Sequence, residues 1–467
     1  MPYLLDQVFY NIKLKMKLFL FIFFSFNFLL IKNSSPLFQD NLFTKIYEKN
    51  KDKNIMISPL GLYQIMGILA NGAVGKTQTE ILETLFPNQK VISNYNILSK
   101  INNNLSQILA LLSLESNIQQ KNDIDKYFDC KGDCNLIFNN VNGLFVKKGY
   151  QLTDEFLSFC ETYNISFSEL IDAKQINHFC DVNTNGKIKE IIDKIDNNII
   201  LILINAIYFK GSWFEPFKEY NTKKLPFHNS NNNFVEVDIM YQLYDNIMYY
   251  EDDDVQMISL PYKSERLNSK MVIILPNKDK YSNFPLNYLK NKNLNEIISK
   301  LRWTENVHLY LPKFDYEFNV NLNEILKSIG MKIGFSGEAD FSKIFKITNA
   351  KIDKIIQKTF IKIDEEGTEA AAITMVMMVE SALELEKNKK EYYMYVNHSF
   401  IYAIISDDIK DIEGNYLMPF IGVVNNLEGN ISKRNESLSL KKNILNNDNK
   451  ININIIFLIL TILMLLY

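Results

Sequence analysis

Glu365-Glu366-Gly367-Thr368-Glu369-Ala370-Ala371-Ala372-Ile373-Thr374-Met375-Val376-Met377-Met378-Val379-Glu380 is the run that decides the fold, and its two halves pull towards different structures. Residues 365–372, apart from Gly367 and Thr368, are helix formers, whereas 373–379 are β-branched or long apolar residues suited to a buried strand. Taken alone, the window reads as an exposed Glu/Ala helix or as a strand. Written as a strand, it puts Thr368, Ala370, Ala372, Thr374, Val376 and Met378 on one uncharged face, and Glu369 is the single charge on the other. Small residues lead, so the front end can slip between existing strands, and Glu380 is the first charge that would stop the burial. A segment with two conformations within reach is a candidate switch.

Outward from this run, periodicity and turn chemistry predict further elements. Helices are expected over residues 34–48, 60–70, 94–114, 153–163 and 321–329, the last ended by Gly330. Strands are expected over 54–60 (stopped by Pro59), 136–146, 201–213, 234–250, 255–262, 271–276, 307–314, 400–405 and 417–425. The apolar run at 201–213 fits a strand buried on both faces, in which Asn205 needs hydrogen-bond partners. Residues 115–134 read as an inserted polar loop. Thr77-Gln78-Thr79-Glu80 reads as a capping box at a helix start. Residues 70–77 match a loose phosphate-loop pattern, but a helix rather than a strand precedes them, which argues against nucleotide binding.

The run at 365–372 closely resembles the hinge of the serpins, inhibitors that trap serine proteases by inserting a cleaved loop into a β-sheet. Asn54-Ile55-Met56-Ile57-Ser58-Pro59, Val182 to Ile188 (read as a helix start), Leu201 to Trp213 and Leu311-Pro312-Lys313-Phe314 resemble serpin motifs in the expected order, so the resemblance covers about residues 38–427. It implies an α+β serpin fold, with mixed β-sheets surrounded by about eight or nine helices and an exposed reactive loop. It also implies a hinge at Glu366, Gly367, Thr368, Glu369, Ala370, Ala371 and Ala372, with Trp213 near the point where the sheet opens. The polar cluster beneath that point maps to Ser58 and Asn205; Gly61 stands where a second serine is common, Gln357 where a histidine is expected, and Val423 where Arg or Lys is usual.

The resemblance makes the chain a single-use substrate that forms a covalent acyl complex with a serine protease and acts as a monomer without cofactor, metal or catalytic residues. Counting forward from the hinge places the reactive bond between Ser381 and Ala382; the loop is about seven residues longer than the family norm, and counting back from Phe400 points to 387–390. Ser381 would suit an elastase-like pocket, Leu383 or Leu385 a chymotrypsin-like one and Lys387 a trypsin-like one. The forward count is preferred because insertion length limits how far the protease is carried. The alternatives are a non-inhibitory serpin acting as a binding or chaperone protein, to which Ile373 within the normally small hinge points, and a cross-class inhibitor of cysteine proteases.

Composition agrees with a large folded domain: 467 residues, 47% hydrophobic and 22% charged, with a net charge of -3 that gives no pull towards nucleic acid. The predicted helix at 94–114 carries one lysine, Lys100, which argues against activation by polyanions. The four histidines, His178, His228, His308 and His398, lie in no nucleophile motif, and no Gly-x-Ser-x-Gly is present, so an enzyme is not expected. Residues 1–31 read as a secretory signal region whose true start is Met16 in one reading, and sequons at Asn33, Asn104, Asn164, Asn397, Asn430 and Asn435 are compatible with an extracellular glycoprotein. Cys130 with Cys134, and Cys160 with Cys180, is the preferred disulfide pairing, against free thiols or a zinc site. A polar tail at 428–450 precedes a hydrophobic segment at 451–467. That segment suits the removed peptide of a lipid (GPI) anchor, with Asn446, Asn447 or Asp448 as attachment points, or a membrane tail.

Overall fold

Ser58 and Pro59 set the architecture locally: the serine hydroxyl accepts from the Gly61 amide and the proline occupies the first turn, so a short strand passes straight into a helix. The computed structural model describes residues 36–88, 94–116, 136–231, 233–264, 267–277, 288–289, 292–346, 350–368 and 390–431. Helices are α1 (Phe38–Lys49), α2 (Pro59–Gly72), α3 (Gly75–Leu85), α4 (Asn94–Ser116), α5 (Asp154–Thr162), α6 (Ala173–Asn183), α7 (Leu294–Ile298) and α8 (Asn323–Ser328). The strands are β1 (Ile55–Ile57), β2 (Ile137–Lys147), β3 (Ser166–Leu170), β4 (Leu201–Ser212), β5 (Lys223–His228), β6 (Phe234–Glu251), β7 (Val255–Pro261) and β8 (Ser269–Pro276). They continue with β9 (Arg302–Pro312), β10 (Phe314–Asn321), β11 (Lys354–Ile363), β12 (Gly367–Thr368), β13 (Tyr392–Tyr395), β14 (Phe400–Ser406), β15 (Phe420–Val424) and β16 (Asn430–Ile431).

Two mixed sheets result, as an α+β fold with eight described helices around them. One runs β10-β11-β12-β4-β2-β3, with β11 also paired directly to β4; the other runs β1-β15-β14-β8-β7-β6-β9-β13, with β5 and β16 also on β6. Alternate residues of β4 go to two cores. Leu201, Leu203, Ile207 and Phe209 join the main cluster, and Ile202, Ile204 and Ala206 join a smaller one with Ile188, Ile191 and Ile199. That division is why the run shows no polar alternation. Helix α2, apolar on almost every side, is buried against β2 and β4 of one sheet and β15 of the other.

Four local expectations fail for identifiable reasons. The Thr77–Glu80 capping box does not form, because α3 already begins at Gly75. The Thr77 hydroxyl instead accepts from the Asp340 amide and the Glu80 carboxylate from the Ile333 amide. The stretch around Thr184 ends a helix rather than starting one: Asn185 and Gly186 have φ of 53° and 77°, and Thr184 accepts from the Ile188 amide. Cys160 and Cys180 are free thiols, not a pair, since they are buried in different hydrophobic clusters; burial pushes them up to about 11 and about 12. Asn104 is a poor glycan acceptor, because its Nδ2 donates to the Lys410 carbonyl and its Oδ1 accepts from Tyr63. Asn164 is exposed. Cys130, Cys134, Asn33, Asn435, the signal region and the hydrophobic tail lie outside the described residues. The first residues of the expected polar tail form β16 against β6.

Candidate functional site

Strand β11 ends at Ile363, and the next five residues turn back so that β12 enters the gap between β11 and β4. Thr368 pairs with Ile363 on one side and with Gly211 on the other, and Gly367 pairs with Ser212. The turn is closed by two backbone bonds between Asp364 and Gly367, and the Asp364 carboxylate accepts from the Glu366 amide. Only glycine fits at 367: φ is 153°, and a Cβ there would lie 2.2 Å from the Gly211 carbonyl oxygen.

Residues after β4 hold the turn from the opposite side. The Trp213 amide donates to the Glu366 carbonyl (2.8 Å), its indole Nε1 to the Asp364 carbonyl (3.0 Å), and the Phe217 amide to the Glu365 carbonyl (2.9 Å). Trp213 stacks on Tyr262 at 4.7 Å, and the Tyr262 hydroxyl lies 2.7 Å from that of the fully buried Thr368. Lys313, from the Leu-Pro-Lys-Phe motif, donates to the Glu365 carboxylate at 2.7 Å, and the Thr222 hydroxyl does the same. Burial opposes ionisation of Glu365, but these two donors outweigh it and hold the carboxyl below its ordinary value. Glu366 and Asp364 shift the other way, chiefly through burial.

Below this wedge the sheet is closed. β11 and β4 pair in parallel over seven rungs, from Lys354–Ile202 to Phe360–Tyr208. A strand continuing from Thr368 between them would run antiparallel to both and would have to part those rungs.

At the Gln357–Asn205 rung lies a buried amide cluster. Gln357 Nε2 donates to Asn205 Oδ1 (2.8 Å) and to the Ser58 carbonyl (3.0 Å), while Gln357 Oε1 accepts from the Ser58 amide (2.8 Å). Asn205 Nδ2 donates to Asn140 Oδ1 and Asn142 Oδ1 on β2, and Gln64 of α2 accepts from both of those asparagines. Ser58, Asn205 and Gln357 are thus brought together as expected, and Gln64, Asn140 and Asn142 complete the cluster. The signal for the last two was available as polar residues two apart in a β-strand, and so on one face. Gly61 also has a reason: a Cβ there would sit 2.2 Å from Asn205 Oδ1.

The profile of the serpin (serine protease inhibitor) family matches residues 34–426. The chain belongs to the serpin family. Leukocyte elastase inhibitor of Xenopus tropicalis is 30% identical to this serpin over 402 residues, covering 82% of the chain and 97% of the relative. An uncharacterized serpin-like protein of Thermococcus kodakarensis is 30% identical over 382 residues, covering 80% and 82%. The native thermophilic serpin tengpin superposes with a TM-score of 0.67 at 26% identity, covering 84% of this chain and 92% of its own. Thyroxine-binding globulin in complex with thyroxine has the same fold, with a TM-score of 0.67 at 23% identity over 84% of this chain and 98% of its own. Serpins are protease inhibitors, generally not enzymes, and the family implies protease targets for this chain.

Of the expected hinge, Gly367 and Thr368 are seated in the sheet of this serpin, and Glu366 lies in the turn before them, its carbonyl accepting from the Trp213 amide. Glu369, Ala370, Ala371 and Ala372, and the reactive-bond candidates Ser381, Ala382, Leu383, Leu385 and Lys387, lie outside the described residues.

Proposed function

We propose that this serpin traps a serine protease as a single-use substrate. The protease serine Oγ adds to the carbonyl of the reactive bond, with Ser381–Ala382 preferred. The C–N bond breaks, the proton passes to the departing amine, and an acyl-enzyme remains. The freed strand then follows Thr368 into the β4–β11 seam and carries the protease with it before water can release the acyl group.

One observation carries this reading. Gly367 and Thr368 are already hydrogen-bonded between β4 and β11 at the mouth of a seam that is closed below them. That placement supports insertion of the following residues along the same seam. Secretion or surface attachment fits the leader-like and hydrophobic terminal segments and belongs to the same proposal.

A second reading, a non-inhibitory binding protein, is favoured by the amide cluster, because Gln357 and Asn205 tie β11 to β4 where the seam must part. Mixing with elastase-, chymotrypsin-, trypsin- and subtilisin-like proteases and with papain, followed by denaturing gels and mass spectrometry, separates the two. A denaturant-stable complex and a fragment beginning at Ala382 are expected; loop cleavage without any complex would give the binding-protein reading precedence.

A further inference from the structure

The family match ends at residue 426, yet the chain stays on the fold beyond it and forms β16 against β6. Strand β9 leaves β6 after the Ile239–Pro312 rung, and β16 takes up the same edge at Glu236 and Val235, since β5 holds the other. The approach is close: a Cβ on Gly429 would lie 2.4 Å from the Glu236 carbonyl oxygen, so glycine is what lets this segment seat.

Side-chain amides fasten the residues that lead into it. Asn54 Oδ1 accepts from the Asn425 and Asn426 amides (2.8 and 2.9 Å), and Asn54 Nδ2 donates to the Asn426 carbonyl (2.7 Å). The turn between β5 and β6 holds the segment from the other side. Asn229 Oδ1 accepts from the Leu427 amide (2.8 Å) and its Nδ2 donates to the Leu427 carbonyl (3.0 Å); the Ser230 amide donates to the Asn425 carbonyl (3.0 Å) and its hydroxyl to Asn426 Oδ1 (3.0 Å). Asn229 and Asn425 are buried, so water does not readily replace a lost partner. The same groups reach the link between β13 and β14: the His228 amide donates to the Asn397 carbonyl (2.8 Å), His228 and His398 form an isolated bridge, and the Ser399 hydroxyl donates to Asn425 Oδ1 (2.6 Å). Strand β13 itself is four residues long and has one described neighbour, β9. Few pairings put it at the low-stability end of the fold, and its hold depends on what fixes the link after it.

We infer that residues 425–431 are a C-terminal strap that locks β13 in its sheet from a distance. The strap pins the β5–β6 turn, the end of β5 at His228 pins the β13–β14 link, and Ser399 ties that link to the strap directly. Unseating residues 427–431 therefore loosens β13, although no residue of β13 touches them. This coupling stands apart from the inhibitory reading, because it concerns only described strands and their bonds.

Hydrogen exchange of the full chain, read by mass spectrometry, tests it. The wild type is compared with Gly429→Val, whose side chain would meet the Glu236 carbonyl, and with Asn229→Ala, which removes both bonds from the turn to Leu427. The expected result is exchange about tenfold faster or more at Tyr392–Tyr395 in both variants, with wild-type rates in β4 and α2. Wild-type exchange at Tyr392–Tyr395 in either variant would overturn the inference. Equal acceleration throughout the fold, β4 and α2 included, would overturn it too, since the strap would then be a general stabiliser. On the inhibitory reading, both variants should also lose trapping capacity on storage about threefold faster or more, because a freed β13 lets the uncleaved chain follow Thr368 into the seam. A wild type that forms no complex would remove that consequence together with the inhibitory reading, and the exchange rates would still decide the inference.

Discussion

The hydroxyls of Thr368 and Tyr262 lie 2.7 Å apart in a buried contact, so the first inserted side chain of the hinge is already satisfied inside the sheet. Its neighbours on the same face are small or apolar in sequence, and the proposed insertion would carry each of them into the same seam.

Arginine in place of Thr368 or Ala370 should therefore turn the inhibitor into a plain substrate. Burying an unpaired guanidinium costs several kcal/mol, enough to slow insertion below deacylation. Denaturing gels should show cleaved serpin and no complex; unchanged complex formation would contradict insertion.

Opening of the seam is opposed by the Gln357 bonds to Asn205 and Ser58. Gln357→Ala leaves those groups without their partner and should cost about 2–4 kcal/mol in the closed sheet. On prolonged incubation the variant should lose inhibitory capacity faster than the wild type, as the uncleaved loop enters the loosened seam. A residual-activity time course checks this.

Gly61→Ser would install the residue common at this position in the family, yet here it should destabilise by about 1–3 kcal/mol, because Asn205 Oδ1 occupies the space. Pairing it with Asn205→Ala should recover part of the loss in a urea titration.

Asp40 is buried at the start of α1, where it accepts from the Leu37 and Leu294 amides, and burial pushes its carboxyl up to about 7 from 3.8. The folded state thus retains a proton that the unfolded chain releases between those values. Stability should fall as pH rises from about 4 to about 7 and level off above, and Asp40→Asn should flatten that slope. Urea midpoints at pH 5, 6, 7 and 8 test the sign.

Much of this was legible in the chain itself. The uniform burial of β4 follows from its unbroken apolar run, and Gly367 marks a backbone position that no other residue can take. Lys313 could be placed in a motif, but its pairing with Glu365 joins residues far apart in sequence and no local pattern encodes it. Distant partners also misled the local reading of Thr77 and Glu80, whose caps are taken by Asp340 and Ile333. Cys160 and Cys180 looked like a pair by spacing, whereas the sheet separates their two cores.

The central claim is that cleavage lets the loop become a strand between β4 and β11. Its most direct measurement compares unfolding midpoints of the intact protein and of protein nicked in the loop by a protease that it does not trap. Adding a strand paired on both sides should raise the midpoint by about 10 °C or more. Equal midpoints would mean that the strand stays outside, and that the seated Thr368 is only an anchor for an exposed loop.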